Sequence, residues 1–312
     1  MVPLKPPFGK LAGTFGRIPL LSMRVVRTIA DLRALLRPLR EEGKRIGFVP
    51  TMGFLHEGHG ALIRQSAARC DATVVSIFVN PTQFGPSEDL ANYPKDLERD
   101  QNLCLEAGAT VLFLPEIAEI YPTGFQTHVE PGRLADPLCG RFRPGHFRGV
   151  TTVVAKLFNM VQPDLAFFGQ KDFQQTVVIR RMARDLNMPV DLVVVPTIRE
   201  ADGLALSSRN TYLDDDARRR ALKLSEGLLA AKAAFDDGER DAGKLLDLAR
   251  KPLAGVDSVQ YLELVDTQNL EPIQGSVDRS AALCVAAYVG STRLIDNVLL
   301  TPSASEAPAA RG

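Results

Sequence analysis

Residues 46–59 read Ile46-Gly47-Phe48-Val49-Pro50-Thr51-Met52-Gly53-Phe54-Leu55-His56-Glu57-Gly58-His59. The first four form a short run without polar alternation, the pattern of a strand buried on both faces. A helical pattern follows from about Gly58 to Cys70, so glycines and two histidines gather at a strand-to-helix junction. Gly53 and Gly58 let backbone approach a ligand with no side chain between, and the amides and dipole of the helix favour negative charge. The imidazoles add donors, and a nearby anion favours their protonated form. The junction therefore reads as a phosphate cradle in which His56 and His59 stabilise charge building at an α-phosphate and a departing pyrophosphate.

Outward from this stretch, similar apolar runs occur at Thr73 to Val79, Val111 to Leu114, Leu165 to Phe168 and Val190 to Val195. Helical patterns lie between them, at Lys95 to Ala107, Gly149 to Val161 and Asp172 to Asn187, and an earlier one runs from Thr28 to Glu42. In that first helix Thr28 and Asp31 are spaced as a capping box, Gly43 is the stop and Pro38 predicts a kink. Alternating apolar strands and helices predict an α/β fold, a Rossmann-like doubly wound parallel sheet with its ligands at the carboxyl ends of the strands. After Arg199 the pattern becomes two charged helices, Asp214 to Phe235 and Asp241 to Leu253, then alternating strands at Val259 to Val265 and Ala281 to Tyr288. That is the pattern of a smaller C-terminal α+β domain. The expected division is a disordered leader at 1–23, a ligand-binding domain at 24–197, a smaller lid domain at 198–300 and a disordered tail at 301–312. The first 30 residues hold no acid, a bias that a targeting peptide shares. A Pro- and Gly-rich extension ahead of a folded unit starting near Met23 is the preferred reading.

Lys plus Arg (37) equals Asp plus Glu (37), so no net charge draws the chain to nucleic acid or to an anionic membrane. No apolar run approaches the roughly 20 residues that span a bilayer. Cys70, Cys104, Cys139 and Cys284 are scattered without a Cys-x-x-Cys pair, which argues against a zinc ribbon and a disulfide framework and for the reducing cytoplasm. Histidines three apart can share a helical face around zinc, but no His-Glu-x-x-His supplies further ligands. His128 stands alone and reads as structural.

The segment His56-Glu57-Gly58-His59 resembles the His-x-Gly-His signature of the nucleotidylyltransferase superfamily. Four longer stretches are similar to the pantothenate synthetase (pantoate–β-alanine ligase) family: Ser76 to Phe84, Arg143-Pro144-Gly145-His146-Phe147-Arg148-Gly149-Val150, Phe168-Gly169-Gln170-Lys171-Asp172-Phe173-Gln174-Gln175, and Asp202 to Asn210. The resemblance runs in order from about Arg24 to about Leu299 and includes Arg293-Leu294-Ile295-Asp296-Asn297 near its end. It implies ATP-driven condensation of pantoate with β-alanine through pantoyl adenylate, releasing AMP and pyrophosphate, by a homodimer of two-domain subunits that uses magnesium (Mg2+). Small molecules, not nucleic acid or membrane, are then its partners.

Carried over to this chain, the resemblance assigns Met52, Gly53, Phe54, Leu55, His56, Glu57, Gly58 and His59 to ATP, with His59 as the catalytic acid and His56 its partner. Gly169, Gln170, Lys171 and Asp172 follow a predicted strand, so Lys171 can present a compact catalytic charge to the triphosphate while Asp172 caps the next helix. Ile198, Leu206, Ser207, Ser208 and Arg209 match a second ATP-binding signature, and the Ser207 loop is the candidate lid. Gln83 and Gln175 match pantoate-binding amides, which both donate and accept. Asn80 and Tyr93 bracket the Gln83 loop, Arg143 and His146 sit on a Pro-Gly turn, and Asp100 offers a carboxylate that reaches magnesium through water. Phe54 and Gly60 depart from the family pattern. The competing readings are AMP transfer to a phosphate acceptor, and a nucleotide-binding regulator without turnover.

Overall fold

A computed structural model describes residues 23–85, 90 and 93–302. Nearly all of the expected leader and of the expected tail therefore lie outside the described residues. Strand β1 (Arg24–Val26) leads to helix α1 (Ile29–Glu41), where the Thr28 hydroxyl accepts the Asp31 amide at 3.1 Å and donates to the Asp31 carboxylate at 2.7 Å. Pro38 sits inside α1 without ending it. The chain continues through β2 (Ile46–Thr51), α2 (Glu57–Ala67), β3 (Ala72–Ile77), α3 (Leu97–Glu106), β4 (Val111–Phe113), the single turns α4 (Ile117–Ile120) and α5 (Cys139–Phe142), α6 (His146–Val161), β5 (Leu165–Gly169), α7 (Phe173–Asp185) and β6 (Asp191–Val195).

The six strands form one parallel sheet in the order β1-β4-β3-β2-β5-β6. Successive side chains of each strand enter opposite layers, as a period of two requires. Phe48, Val74, Phe113 and Phe168 join one core with Leu32, Leu36, Phe158 and Ile179, while Val49, Val75, Leu112 and Phe167 join another with Ile63 and Cys104. Both faces are therefore covered by helices, and the doubly wound prediction holds. From β2 the chain steps to β3 on one side, and it reaches β5 on the other. The crevice of such a sheet opens where the winding reverses, outside the carboxyl ends of β2 and β5.

The second unit has helices α8 (Asp215–Asp236) and α9 (Ala242–Arg250) and an antiparallel sheet β7 (Ser258–Asp266), β8 (Ala281–Val289), β9 (Thr292–Leu300), in the order β7-β8-β9. Leu283, Val285 and Ala287 of β8 pack under Leu228, Phe235 and Leu245 of the helices. Ala282, Cys284 and Ala286, on its other face, pack against Leu138, Phe173 and Val177 of the first unit. The small sheet is thus buried between its own helices and the larger domain, and β9 comes to lie beside the turn after β5.

Two strands were not expected. β1 has three residues, two of them exposed, which is too short for any period to show. β9 carries Arg293, Asp296 and Asn297 in an otherwise apolar strand, because these side chains serve the cleft and not the core. Helix α6 also begins three residues before the expected Gly149. Gly149 marks a close approach: a Cβ built there would lie 2.4 Å from the Thr82 carbonyl oxygen and 2.7 Å from Gln83 Cα. Gly149→Ala should therefore push α6 away from the Asn80–Gln83 turn and lower stability by about 1–3 kcal/mol, the usual range for overpacking. Urea unfolding with an unchanged m-value checks this, and a wild-type midpoint would refute it.

Candidate functional site

The end of β2 enters the crevice through a tight turn. Gly53 has φ 86° and Phe54 φ 50°, and a Cβ on Gly53 would meet Ile77 Cγ2 at 2.9 Å. Asp100, on α3 and 2% exposed, holds this turn: its carboxylate accepts the Phe54 amide at 2.8 Å and the Leu55 amide at 2.6 Å. Burial holds the Asp100 pKa above its ordinary value, and the two amides offset only part of that rise. The carboxylate expected to reach magnesium is thus engaged in bracing the loop. Among the described residues no group of three or more His, Cys, Asp or Glu is placed to hold a metal ion. That donor set does not form a protein cage for magnesium.

His56 is the N-cap of α2. Its Nδ1 accepts the Gly58 amide at 3.1 Å, and Nδ1 of His59 accepts the His56 amide at 3.2 Å, with the rings 4.1 Å apart. An imidazole nitrogen that accepts a backbone N–H carries no proton, so these bonds assign the hydrogen of each neutral ring to Nε2. Burial first, then the charges of Lys171 and Arg99, lower the His56 pKa to about 4. Burial, His56 and Lys171 hold His59 well below its ordinary value. Burial and the neighbouring charges thus favour neutral rings whose hydrogen sits on Nε2. The expectation of free helix amides needs correction at Gly58, whose N–H is taken by the His56 ring.

Lys171 lies on a 3-10 turn, Gln170–Asp172, directly after β5. Burial lowers its pKa, Asp172 and Asp296 raise it, and Arg209 lowers it further. Asp172 occupies the N-cap position of α7 without a side-chain capping bond, so its expected capping role is not realised. The signature around Ser207 forms a hairpin in which Leu206 N–H donates to Ile198 O at 3.0 Å and Glu200 N–H to Leu204 O at 2.8 Å. Ser207 Oγ accepts the Arg209 amide at 3.2 Å and starts the 3-10 turn Ser208–Tyr212. The segment expected as a lid is tied down at several points. Asn210 donates to Glu200 at 2.7 Å, Arg218 pairs with Glu200 and Asp202, and Arg199 grips Asp296 at 2.6 and 3.1 Å.

Across the cleft stand the amides. Asn80 Nδ2 donates to Gln83 Oε1 at 3.0 Å, while Asn80 Oδ1 accepts the Tyr121 hydroxyl at 2.8 Å. This leaves Gln83 Nε2 as a donor beside Met52 Sδ, 3.2 Å away. The Gln83 carbonyl accepts from Arg143 Nη2 at 3.3 Å and from His146 Nδ1 at 2.9 Å. Gln175 lines the cleft, whereas Gln174 is buried with its amide shared among Cys139 N, Leu134 O and Pro137 O.

These groups converge on one cleft of about 840 Å³ between the two units. Met52, His56, Gly58, His59, Asn80, Gln83, Tyr93, Arg143, Gly169, Lys171, Asp172, Gln175, Ile198, Leu206, Ser207, Ser208 and Arg209 all line it, as the sequence reading required. Gly53, Phe54, Leu55, Glu57, Gln170 and Asp100 do not. Leu55 is core, Glu57 pairs with Arg64 at the surface, and the Gln170 side chain turns to Asn297. The sequence reading missed Thr197, whose buried hydroxyl is unpartnered in the cleft wall, and gave no role to the β9 residues Arg293, Asp296 and Asn297, which it quoted only within the resemblance. Charged and amide side chains inside an apolar strand were the available signal for the β9 group.

The family model described as Pantoate-beta-alanine ligase matches residues 24–299. The chain is 62% identical over 283 residues to pantothenate synthetase 1 of Bradyrhizobium diazoefficiens, covering 91% of this chain and 100% of that one. It is 55% identical to the pantothenate synthetase of Pelotomaculum thermopropionicum, covering 89% and 99%. Its fold matches the crystal structure of pantothenate synthetase from Thermus thermophilus with a TM-score of 0.85 at 47% identity, over 90% of this chain and 100% of that one. A pantoate-beta-alanine ligase from Francisella tularensis, complexed with beta-gamma ATP and beta-alanine, matches at 0.74 and 34% identity, over 89% and 98%.

With Asp100 as a loop brace, Asp100→Asn places an NH2 against a backbone N–H and should cost about 1–3 kcal/mol of stability. The magnesium concentration giving half-maximal rate should not change. A large rise in that concentration at wild-type stability would return Asp100 to the metal.

Proposed function

This chain belongs to the pantoate-beta-alanine ligase family, and we propose that its cleft condenses pantoate with β-alanine using ATP, in two half-reactions run by neutral imidazole donors, one lysine and a set of amides. The product is pantothenate, released with AMP and pyrophosphate. The observation that carries the residue roles is the convergence of His56, His59, Lys171, Gln83 and Gln175 on one cleft.

In the first half-reaction the pantoate carboxylate attacks the α-phosphorus in line and pyrophosphate departs. The new bond joins a carboxylate oxygen to phosphorus, and the bridging oxygen of the leaving group takes the electron pair. The protein aligns the reactants and neutralises spreading negative charge. Nε2–H of His56 and of His59 donate to phosphate oxygens without first having to gain a proton, and the Lys171 ammonium adds a full charge. Gln83 Nε2 donates to the pantoate. In the second half-reaction the neutral amine of β-alanine attacks the acyl carbon of pantoyl adenylate, AMP leaves, and the amine loses a proton. The anhydride must be shielded from water meanwhile, which the Ser207 hairpin supports by closing one side of the cleft.

Magnesium enters as the counter-ion of the triphosphate. Two copies of the chain pair as a homodimer, and the protein works in the cytoplasm. Free thiols at Cys70, Cys104, Cys139 and Cys284 support that compartment. Among the described residues, no helix is long and apolar enough to cross a membrane.

Pantoate-dependent exchange of pyrophosphate into ATP isolates the first half-reaction. His59→Ala and Lys171→Ala should each lower it by about 10²-fold or more, because each removes a donor acting mainly in the transition state. AMP release should then require β-alanine. Wild-type exchange in both variants would end these assignments, and exchange driven by a phosphate acceptor instead of pantoate would end the functional reading.

A further inference from the structure

The adjacent residues Asp296 and Asn297 of β9 belong to the small domain, yet their side chains hold both nucleotide loops of the cleft. Asn297 is 2% exposed, and its amide is fully used: Nδ2 donates to the Gln170 and Lys171 carbonyls, each at 3.0 Å, and Oδ1 accepts Gln170 Nε2 at 3.1 Å. Asp296 is 4% exposed and takes the Arg199 guanidinium in two bonds, at 2.6 and 3.1 Å, while the same Arg199 donates to Gly203 O at 3.1 Å. The Asn297 amide hydrogen in turn donates to Asp296 at 2.8 Å. One dipeptide thus joins the turn that carries Lys171 to the hairpin that carries Ser207 and Arg209.

We propose that Asp296 and Asn297 are positioning residues for adenylate formation: Asn297 sets the place of the Lys171 turn, and the Asp296 carboxylate registers the Ser207 hairpin through Arg199 and sets a negative charge beside that turn. This rests on the ligase reading above. The geometry suits the task, since a side-chain amide on two consecutive carbonyls fixes a turn in both position and rotation. A bidentate carboxylate–guanidinium pair adds orientation as well as attraction. The charges facing Lys171 are few. Asp172 on its own turn and Asp296 on β9 favour the ammonium, Arg209 on the hairpin disfavours it, and His56 and His59 on α2 are neutral neighbours. Burial works against the ammonium, so the two carboxylates offset it. Removing the Asp296 charge pushes Lys171 toward losing its proton.

Pantoate-dependent pyrophosphate exchange, followed against pH, tests this without involving the amine of β-alanine. Asp296→Asn should move the alkaline limb of the rate to lower pH by about one unit, the low end for loss of a neighbouring opposite charge. Asp296→Glu, which restores the charge, should return the limb to the wild-type position even if the rate is lower. Asn297→Ser should lower the maximal exchange rate by about 10-fold or more with the limb unmoved, as displacement of a reacting group does. Far-UV circular dichroism and thermal unfolding establish that each variant is folded. If neither Asp296→Asn nor Asn297→Ser folds, Arg199→Lys loosens the same grip with every charge kept, and the rate should fall without a shift of the limb. A folded Asp296→Asn with the wild-type limb, a folded Asn297→Ser within twofold of the wild-type rate, or a wild-type rate in Arg199→Lys when it is the deciding variant, would overturn the proposal. An inactive wild-type enzyme would instead overturn the ligase reading on which it rests.

Discussion

Two imidazole nitrogens accept backbone N–H groups at the start of α2, Gly58 onto His56 and His56 onto His59, and the chemistry of the cleft depends on those two hydrogen bonds. They fix the ring orientations and leave Nε2–H as the exposed donor. They also oppose protonation, because a proton on Nδ1 would face a backbone N–H. Burial and the charge of Lys171 also lower both imidazole pKa values, so neutral rings stand near that lysine without three cations crowding together. Donors oriented in advance of a ligand need little reorganisation as charge develops.

That arrangement needs a rigid mount, which comes from three directions. Asp100 braces the Gly53–Phe54 turn from α3, so the backbone reaches His56 at a set angle. The parallel sheet delivers the ends of β2 and β5 side by side at the reversal of its winding, which brings Lys171 to the histidines from more than a hundred residues away. The small domain then packs the second face of its sheet against Leu138, Phe173 and Val177 and brings β9 beside the Lys171 turn. Burial of apolar surface at that contact is what lets polar side chains of β9 enter the cleft without water competing for them.

The opposite wall follows a similar logic with neutral groups. Tyr121 donates to Asn80, Asn80 donates to Gln83, and Gln83 is left with its NH2 beside Met52. Every amide in that relay has its orientation set by the one before it. The close packing of Gly149 against Thr82 and Gln83 holds the relay against α6.

By itself the sequence determined the class of the fold, the strands β2 to β6 and the cluster of chemistry after residues 49 and 168, because buried strands and helix starts leave local patterns. The histidines were singled out by their own junction, whereas the glutamines were singled out only by the resemblance of their motifs to a known family; all of them line one cleft with Lys171. Only the tertiary structure decided that burial and Lys171 lower both imidazole pKa values, that Asp100 braces a loop, that Asp172 caps nothing, and that Asp296 and Asn297 tie Arg199 and the Lys171 turn to β9. The physical reason is range. Periodicity and capping act within a few residues, whereas protonation, burial and the partner of a side chain are set by groups that adjoin it only after the sheet has closed and the second domain has docked.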